Sequence, residues 1–262
     1  MDMKRVVTLT FSPNGTTARV ADAIAQGIGA PERLDLDRTA FDSRWTGETL
    51  RAGDVAVIAL PVYYGRLPKL MVEFFRYIKA EGIPAVLAVT YGNREYEDAL
   101  LELKNESLER GFIPVAAGAF VAHHCMAGKL AEGRPNGDDL AQARELGEKA
   151  AALLAGLDRL EGLDLSVKGN FPYVPGSDLP VGPATDRSKC TNCGLCQRNC
   201  PVQAINPLDF AEVDGWRCLF CTRCIHSCPA GAKFISMPAM REKLVILENM
   251  MAAPKANELF LI

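Results

Sequence analysis

Two runs of the form C-x2-C-x2-C-x3-C-P, 28 residues apart, constrain this chain more than any other feature. Cys190, Cys193, Cys196, Cys200 and Pro201 are repeated as Cys218, Cys221, Cys224, Cys228 and Pro229, with Ala204 matched by Ala232. A cubane of iron and sulfide needs four converging thiolates. Three closely spaced cysteines on a tight loop reach three corners, and the fourth, opening the next turn before proline, points toward the other cluster. Matched to the known usage of this spacing, Cys190, Cys193, Cys196 and Cys228 are expected to hold one [4Fe–4S] cluster and Cys218, Cys221, Cys224 and Cys200 a second. Pro201 and Pro229 suit a helix start, where the missing N–H costs nothing. Gly194 keeps the first loop tight, and Thr222 stands at the equivalent place in the second. Zinc sites pair two C-x2-C half-sites across a longer gap, which two identical four-cysteine runs fit poorly.

Eight of the nine cysteines lie in these runs, so a disulfide framework is not expected, and 262 residues bury enough core to need none. The net charge of −3 offers no basic surplus for nucleic acid. There is no uncharged apolar run long enough to cross a membrane. Val6 to Phe11 is too short for the core of a signal peptide, so the expected location is a reducing cytoplasm, where cysteines serve as ligands.

Over about 50 residues the cysteine region resembles the dicluster bacterial ferredoxins, which implies a small α+β domain over residues 186–237. It departs from their usual acidic surface, with six Lys or Arg (Arg187, Lys189, Arg198, Arg217, Arg223, Lys233) against four acidic residues. Cations near anionic clusters would raise their potential or meet an acidic neighbour, or they are ordinary solvated charges.

Residues 1–160 read differently. Arg5–Phe11, Arg33–Leu36, Val55–Leu60, Ala85–Thr90 and Val115–Val121 have strand character, and the central ones are almost continuously apolar, as parallel strands covered on both faces must be. Helical periodicity fills Thr17–Ile28, Leu67–Lys79, Tyr96–Arg110 and Asp139–Leu157. Thr16, Asn93 and Asp138 are the expected caps, and Gly29, Gly82 and Gly111 the expected stops. Five strands alternating with helices predict an open, doubly wound parallel α/β sheet. Residues 161–185, with Pro172, Pro175, Pro180 and Pro183, read as a proline-stiffened linker in which Phe171 and Tyr173 should lie against something. Residues 238–262 read as a helical tail, with a helix over Met240–Met251 and an apolar end that should pack back on the body.

Three loops at the strand ends carry the chemistry of the first half. Ser12-Pro13-Asn14-Gly15-Thr16-Thr17 leads into a helix, a place where free N–H groups and the helix dipole favour an anion, and it has no P-loop lysine. Pro61-Val62-Tyr63-Tyr64-Gly65 and Thr90-Tyr91-Gly92-Asn93-Arg94 supply aromatic rings and glycine-flanked amides where strand order reverses. Gly27-Ile28-Gly29 ends a helix instead of opening one, so it is no dinucleotide fingerprint. His123, His124 and Cys125 follow the fifth strand at the same edge. The histidines are open to proton shuttling, substrate contact or a plain loop role, and Cys125 reads as a small buried hydrophobe.

Together the three loops resemble the FMN site of flavodoxins, over about 155 residues. The resemblance implies a flavodoxin-like five-stranded sheet. In it Ser12, Asn14, Gly15, Thr16 and Thr17 would hold the phosphate, Pro61, Val62, Tyr63, Tyr64 and Gly65 would flank the ring near N5, and Thr90, Tyr91, Gly92, Asn93 and Arg94 the other edge. Asn14 stands where flavodoxins usually have threonine. The order of the two halves is similar to fused flavodoxin–ferredoxin proteins of anaerobes. That likeness implies electron transfer between two [4Fe–4S] clusters and FMN, with a ferredoxin or an oxidoreductase as redox partner. The alternative is an FMN-dependent reductase of a small organic acceptor, in a pocket walled by Tyr64, Arg94, His123 and His124.

Overall fold

The computed structural model describes residues 2–45, 50–75, 77–176 and 180–262. In chain order the first half comprises β1 (Arg5–Thr10), α1 (Thr16–Ile28), β2 (Glu32–Asp37), β3 (Asp54–Pro61), α2 (Lys69–Phe75), β4 (Ile83–Tyr91), α3 (Ala99–Glu109), β5 (Phe112–Val121) and α4 (Gly137–Gly156). The cysteine region adds β6 (Ala184–Thr185), α5 (Leu195–Arg198), α6 (Arg223–His226) and β7 (Lys233–Phe234), with β6 and β7 paired antiparallel. The tail holds α7 (Pro238–Met250) and β8 (Glu258–Leu261). Among the described residues no helix is long and apolar enough to cross a membrane.

The main sheet runs β2-β1-β3-β4-β5-β8. Its first five strands are parallel, in the doubly wound order of the flavodoxin-like fold. β3 and β4 are buried along their whole length, because apolar layers cover both faces. On one face α2 and α3 bring Met71, Phe74, Phe75, Leu100 and Leu103 against Phe11, Ile58 and Leu60. On the other, α1 and α4 bring Val20, Ile24, Leu146 and Leu154 against Val57, Val86 and Phe120.

The sheet has six strands, not the expected five. β8 pairs antiparallel with β5, Ala116 opposite Leu261 and Ala119 opposite Glu258. The outer edge of β5 would otherwise leave a row of N–H and C=O groups unpaired. Four residues are too few to show a strand period in the sequence, and the tail is therefore helical only as far as Met250.

Several helix starts differ from expectation: Thr16 opens α1 instead of capping it, and Pro201 and Pro229 follow α5 and α6 instead of starting helices. α3 begins at Ala99 with Asp98 as its N-cap, because Asn93 and Glu97 are both left-handed (φ 59 and 46) and keep the segment between them out of the helix. α4 is capped by Asn136 in a capping box with Asp139, not by Asp138. α1 is preceded by Gly15 at φ 83, and Gly29 stops it at φ 67 as expected. In α2 the helix spans Lys69–Phe75, and position 76 of the expected longer helix lies outside the described residues.

The linker is tied down rather than free. Asp98, fully buried, accepts the N–H groups of Asn170 and Val174. Arg66 stacks over the Tyr173 ring at 4.6 Å, while Phe171 stays exposed. Positions 177–179 of the linker lie outside the described residues.

α1 and α4 touch backbone to backbone. A Cβ on Gly147 would fall 2.1 Å from the Ile24 carbonyl oxygen, and one on Gly27 would fall 2.0 Å from that of Arg144. Gly147→Ala is therefore expected to lower unfolding free energy by about 2–3 kcal/mol through overpacking. Gly156→Ala on the same helix, with open space around it, should change it by less than about 0.5 kcal/mol. Urea titrations of both variants check the contrast.

Candidate cofactor sites

The carboxyl ends of β1, β3 and β4 and the loop after β5 enclose a cavity of about 640 Å³. Its floor is built by short-range constraints. Tyr64 and Gly65 are left-handed (φ 54 and 77) in a turn closed by hydrogen bonds between Tyr63 and Arg66. Gly65 suits this turn because its φ is one that glycine favours and an added Cβ would sit 3.0 Å from the Glu97 Cβ. The Thr17 and Thr90 hydroxyls meet at 2.6 Å and tie the first loop to the third.

The cavity is lined by all the residues expected around the ring and phosphate except Ser12, Gly15 and Asn93. Ser12 works from behind, its hydroxyl accepting the Ala18 N–H at 3.0 Å and its own N–H donating to Thr39. Gly15 sets the turn into α1 as its N-cap, and with no side chain of its own it leaves Ser12 to satisfy the first-turn N–H of Ala18. The buried Asn93 amide serves the tail, donating to the Met251 and Ala253 carbonyls and accepting the Lys255 N–H. Asn14 lines the cavity but spends its amide on the Cys221 carbonyl at 2.8 Å.

His123, His124 and Cys125 also line the cavity. The His123 ring is engaged with the Gly128 carbonyl at 2.8 Å. The Cys125 thiol is pushed up to about 11 by burial, so it is no ready nucleophile. Its carbonyl oxygen has another use. It lies 2.8 Å from the Thr222 hydroxyl, whose single proton is shared with the Cys221 carbonyl at 2.7 Å, and it meets the His226 ring nitrogen at 3.0 Å.

The eight repeat cysteines fall into two smaller cavities. Cys190, Cys193, Cys196 and Cys228 line one, and Cys200, Cys218, Cys221 and Cys224 line the other. Main-chain N–H groups turn toward sulfur, from Ala204 to Cys200 at 3.3 Å and from Ala232 to Cys228 at 3.2 Å. Among the described residues no three His, Cys, Asp or Glu side chains converge tightly enough for a single metal ion. Four thiols lining each cavity are the donor set that a cubane requires. The surplus cations are mostly engaged nearby: Arg187 pairs with Asp209, Lys189 with Asp186, and buried Lys233 donates to the Phe210 carbonyl.

The sequence reading missed part of the large cavity's wall. Leu219 and Phe220, from inside the second cysteine run, line it, as do Met240, Lys243, Leu244 and Leu247 of α7. The signal lay in the repeat. Its first copy has Thr191, Asn192 and Gly194, with the first two exposed. Its second has Leu219, Phe220 and Thr222, with the last two buried. On α7 the wall residues follow a helical i, i+3, i+4, i+7 spacing.

Residues 189–232 match the family model described as a 4Fe-4S dicluster domain. The delta subunit of the NADH-dependent phenylglyoxylate dehydrogenase of Aromatoleum evansii is 33% identical over 64 residues, and the match spans 22% of this chain and 63% of that subunit. An archaeal flavodoxin superposes with a TM-score of 0.41 at 17% identity, covering 58% of this chain and 99% of its own. Flavodoxin 1 of Bacillus cereus superposes with a TM-score of 0.42 at 19% identity, covering 59% and 100%. These scores fall below one half, and it is the strand order that carries the fold.

The contact between Thr222 and Cys125 gives a direct test. Thr222→Val keeps the branched side chain and loses the hydroxyl, at a cost of about 1–2 kcal/mol to that contact. Amide hydrogen exchange over residues 122–127 is expected to quicken several-fold while iron content stays the same. Unchanged exchange would mean that the contact rests elsewhere.

Proposed function

Because the carboxyl-terminal segment is a 4Fe-4S dicluster ferredoxin domain and the amino-terminal half is flavodoxin-like, this is an electron-transfer protein, and we propose that it relays single electrons between two [4Fe–4S] clusters and one FMN. When bound, such clusters exchange electrons singly and FMN holds one or two, so the set links one-electron carriers to a two-electron partner.

The observation that carries this reading is the shared wall. Leu219 and Phe220, lying between the ligand candidates Cys218 and Cys221, line the proposed flavin cavity, and Asn14 of the phosphate loop donates to the Cys221 carbonyl. Electron transfer needs short separation, and one loop serves both sites. The residues present suit FMN. Gly15 at the N-cap of α1 brings no side chain, and a Cβ built on it would meet open space, so an anion can approach the first turn, where Ser12 already holds the Ala18 N–H. Tyr63, Tyr64 and Tyr91 supply flat apolar surface. In this reading the eight repeat cysteines hold the clusters, four around each of the two small cavities.

A second reading is favoured by a separate observation. An electron carrier whose flavin meets protein partners directly needs an open ring edge, and here α7 contributes four residues to the cavity wall. Tyr64, Arg94, His123 and His124 line the same space, as a pocket for a small organic acceptor requires.

Protein prepared without oxygen is expected to carry about eight iron atoms, a matching amount of acid-labile sulfide and about one FMN per chain. Cys224→Ser should abolish bleaching of the flavin by a one-electron donor protein while FMN remains bound. Zinc without flavin, or full bleaching in that variant, would overturn the relay.

A further inference from the structure

The loop after β5 holds a histidine whose protonation is set by the backbone. The His124 Nδ1 accepts two main-chain N–H groups, from Met126 at 3.1 Å and from Ala127 at 3.0 Å. A nitrogen that accepts cannot carry a proton, so the ring hydrogen is on Nε2. Among the described residues Nε2 has no partner, and His124 lines the large cavity. The ring is seated against Gly92 of the loop after β4, where an added Cβ would come within 2.6 Å of His124 Cδ2, the carbon bonded to Nε2. Gly92 is thus the residue that lets the imidazole reach this position.

We propose that His124 is a tautomer-locked, uncharged hydrogen-bond donor that presents Nε2–H to an acceptor atom on the flavin, as a binding residue and not as a proton shuttle. The inference rests on the FMN reading above and deepens it. To become a cation the ring would have to give up both backbone donors at Nδ1. Burial opposes that first, then the positive charges of Arg94 and His123, and together they bring its pKa down to about 4. Only Glu248, on α7, acts in the other direction. The ring is therefore neutral throughout the physiological range, and a neutral donor favours whichever ligand form carries more negative charge at the contacted edge. For a flavin that is the reduced form.

The test uses full-length protein with clusters intact and flavin removed, titrated with FMN between pH 5.5 and 8. His124→Ala is expected to weaken binding about tenfold, by the same ratio at every pH, since one hydrogen bond is lost and no charge changes. His124→Gln, which keeps an N–H donor, should recover most of the loss, and Gly92→Ala should reproduce it by displacing the ring. If the reduced form loses about tenfold more affinity than the oxidised form, the two-electron potential of bound FMN falls by about 30 mV in His124→Ala. Equal affinity of wild type and His124→Ala for FMN overturns the inference and leaves the FMN reading standing. A wild-type to variant ratio that changes with a midpoint near pH 6–7 overturns it in favour of a titrating histidine. Failure of the wild-type protein to bind FMN overturns both.

Discussion

The carbonyl group of Cys125 joins two otherwise separate pieces of chemistry. It shares the Thr222 hydroxyl proton with the Cys221 carbonyl and meets the His226 ring, while Asn14 returns a hydrogen bond to the Cys221 carbonyl. Each such bond contributes about 1 kcal/mol net, but their combined geometry matters more than their sum. They press the second cysteine loop onto the flavodoxin-like half, so that Leu219 joins that half's apolar core and Phe220 becomes cavity wall.

The internal repeat shows what this docking required. Both loops place a left-handed residue after their first cysteine, Asn192 in one and Phe220 in the other. Before their short helices both are left-handed again, at Gly194 and at Thr222 with φ 71 and 60. Glycine takes that conformation freely, whereas a β-branched residue is strained there by roughly 1–3 kcal/mol. The second copy carries the strain where its hydroxyl crosses to Cys125. The first copy keeps glycine there, where an added Cβ would come within 3.1 Å of the Phe210 ring. Symmetrically spaced cysteines thus sit on asymmetric loops, the second of which packs on the flavodoxin-like half.

The tail performs the matching task at the opposite wall. Asn93 grips the chain at Met251, Ala253 and Lys255, the Tyr96 hydroxyl donates to Glu258, and Asn257 accepts the Val121 N–H. β8 then completes the sheet edge, and α7 is held across the cavity between its two ends. Asn93 is a clamp for the cover of the site, although its place in the loop after β4 made it look like part of the floor.

Much of this was legible in the residues alone. Cysteine spacing sorted the eight thiols into the same two sets of four that line the two small cavities. Unbroken apolar runs determined a sheet buried on both faces, and three loops of hydroxyls, glycines and aromatics marked the edge where a ligand belongs. Tertiary structure decided the rest: which repeat docks, that α7 covers the cavity, that a four-residue tail segment becomes a strand, and that two backbone amides set the tautomer of His124. These depend on groups far apart in the chain meeting at hydrogen-bond distance, and neither periodicity nor spacing records such a meeting before the chain has folded.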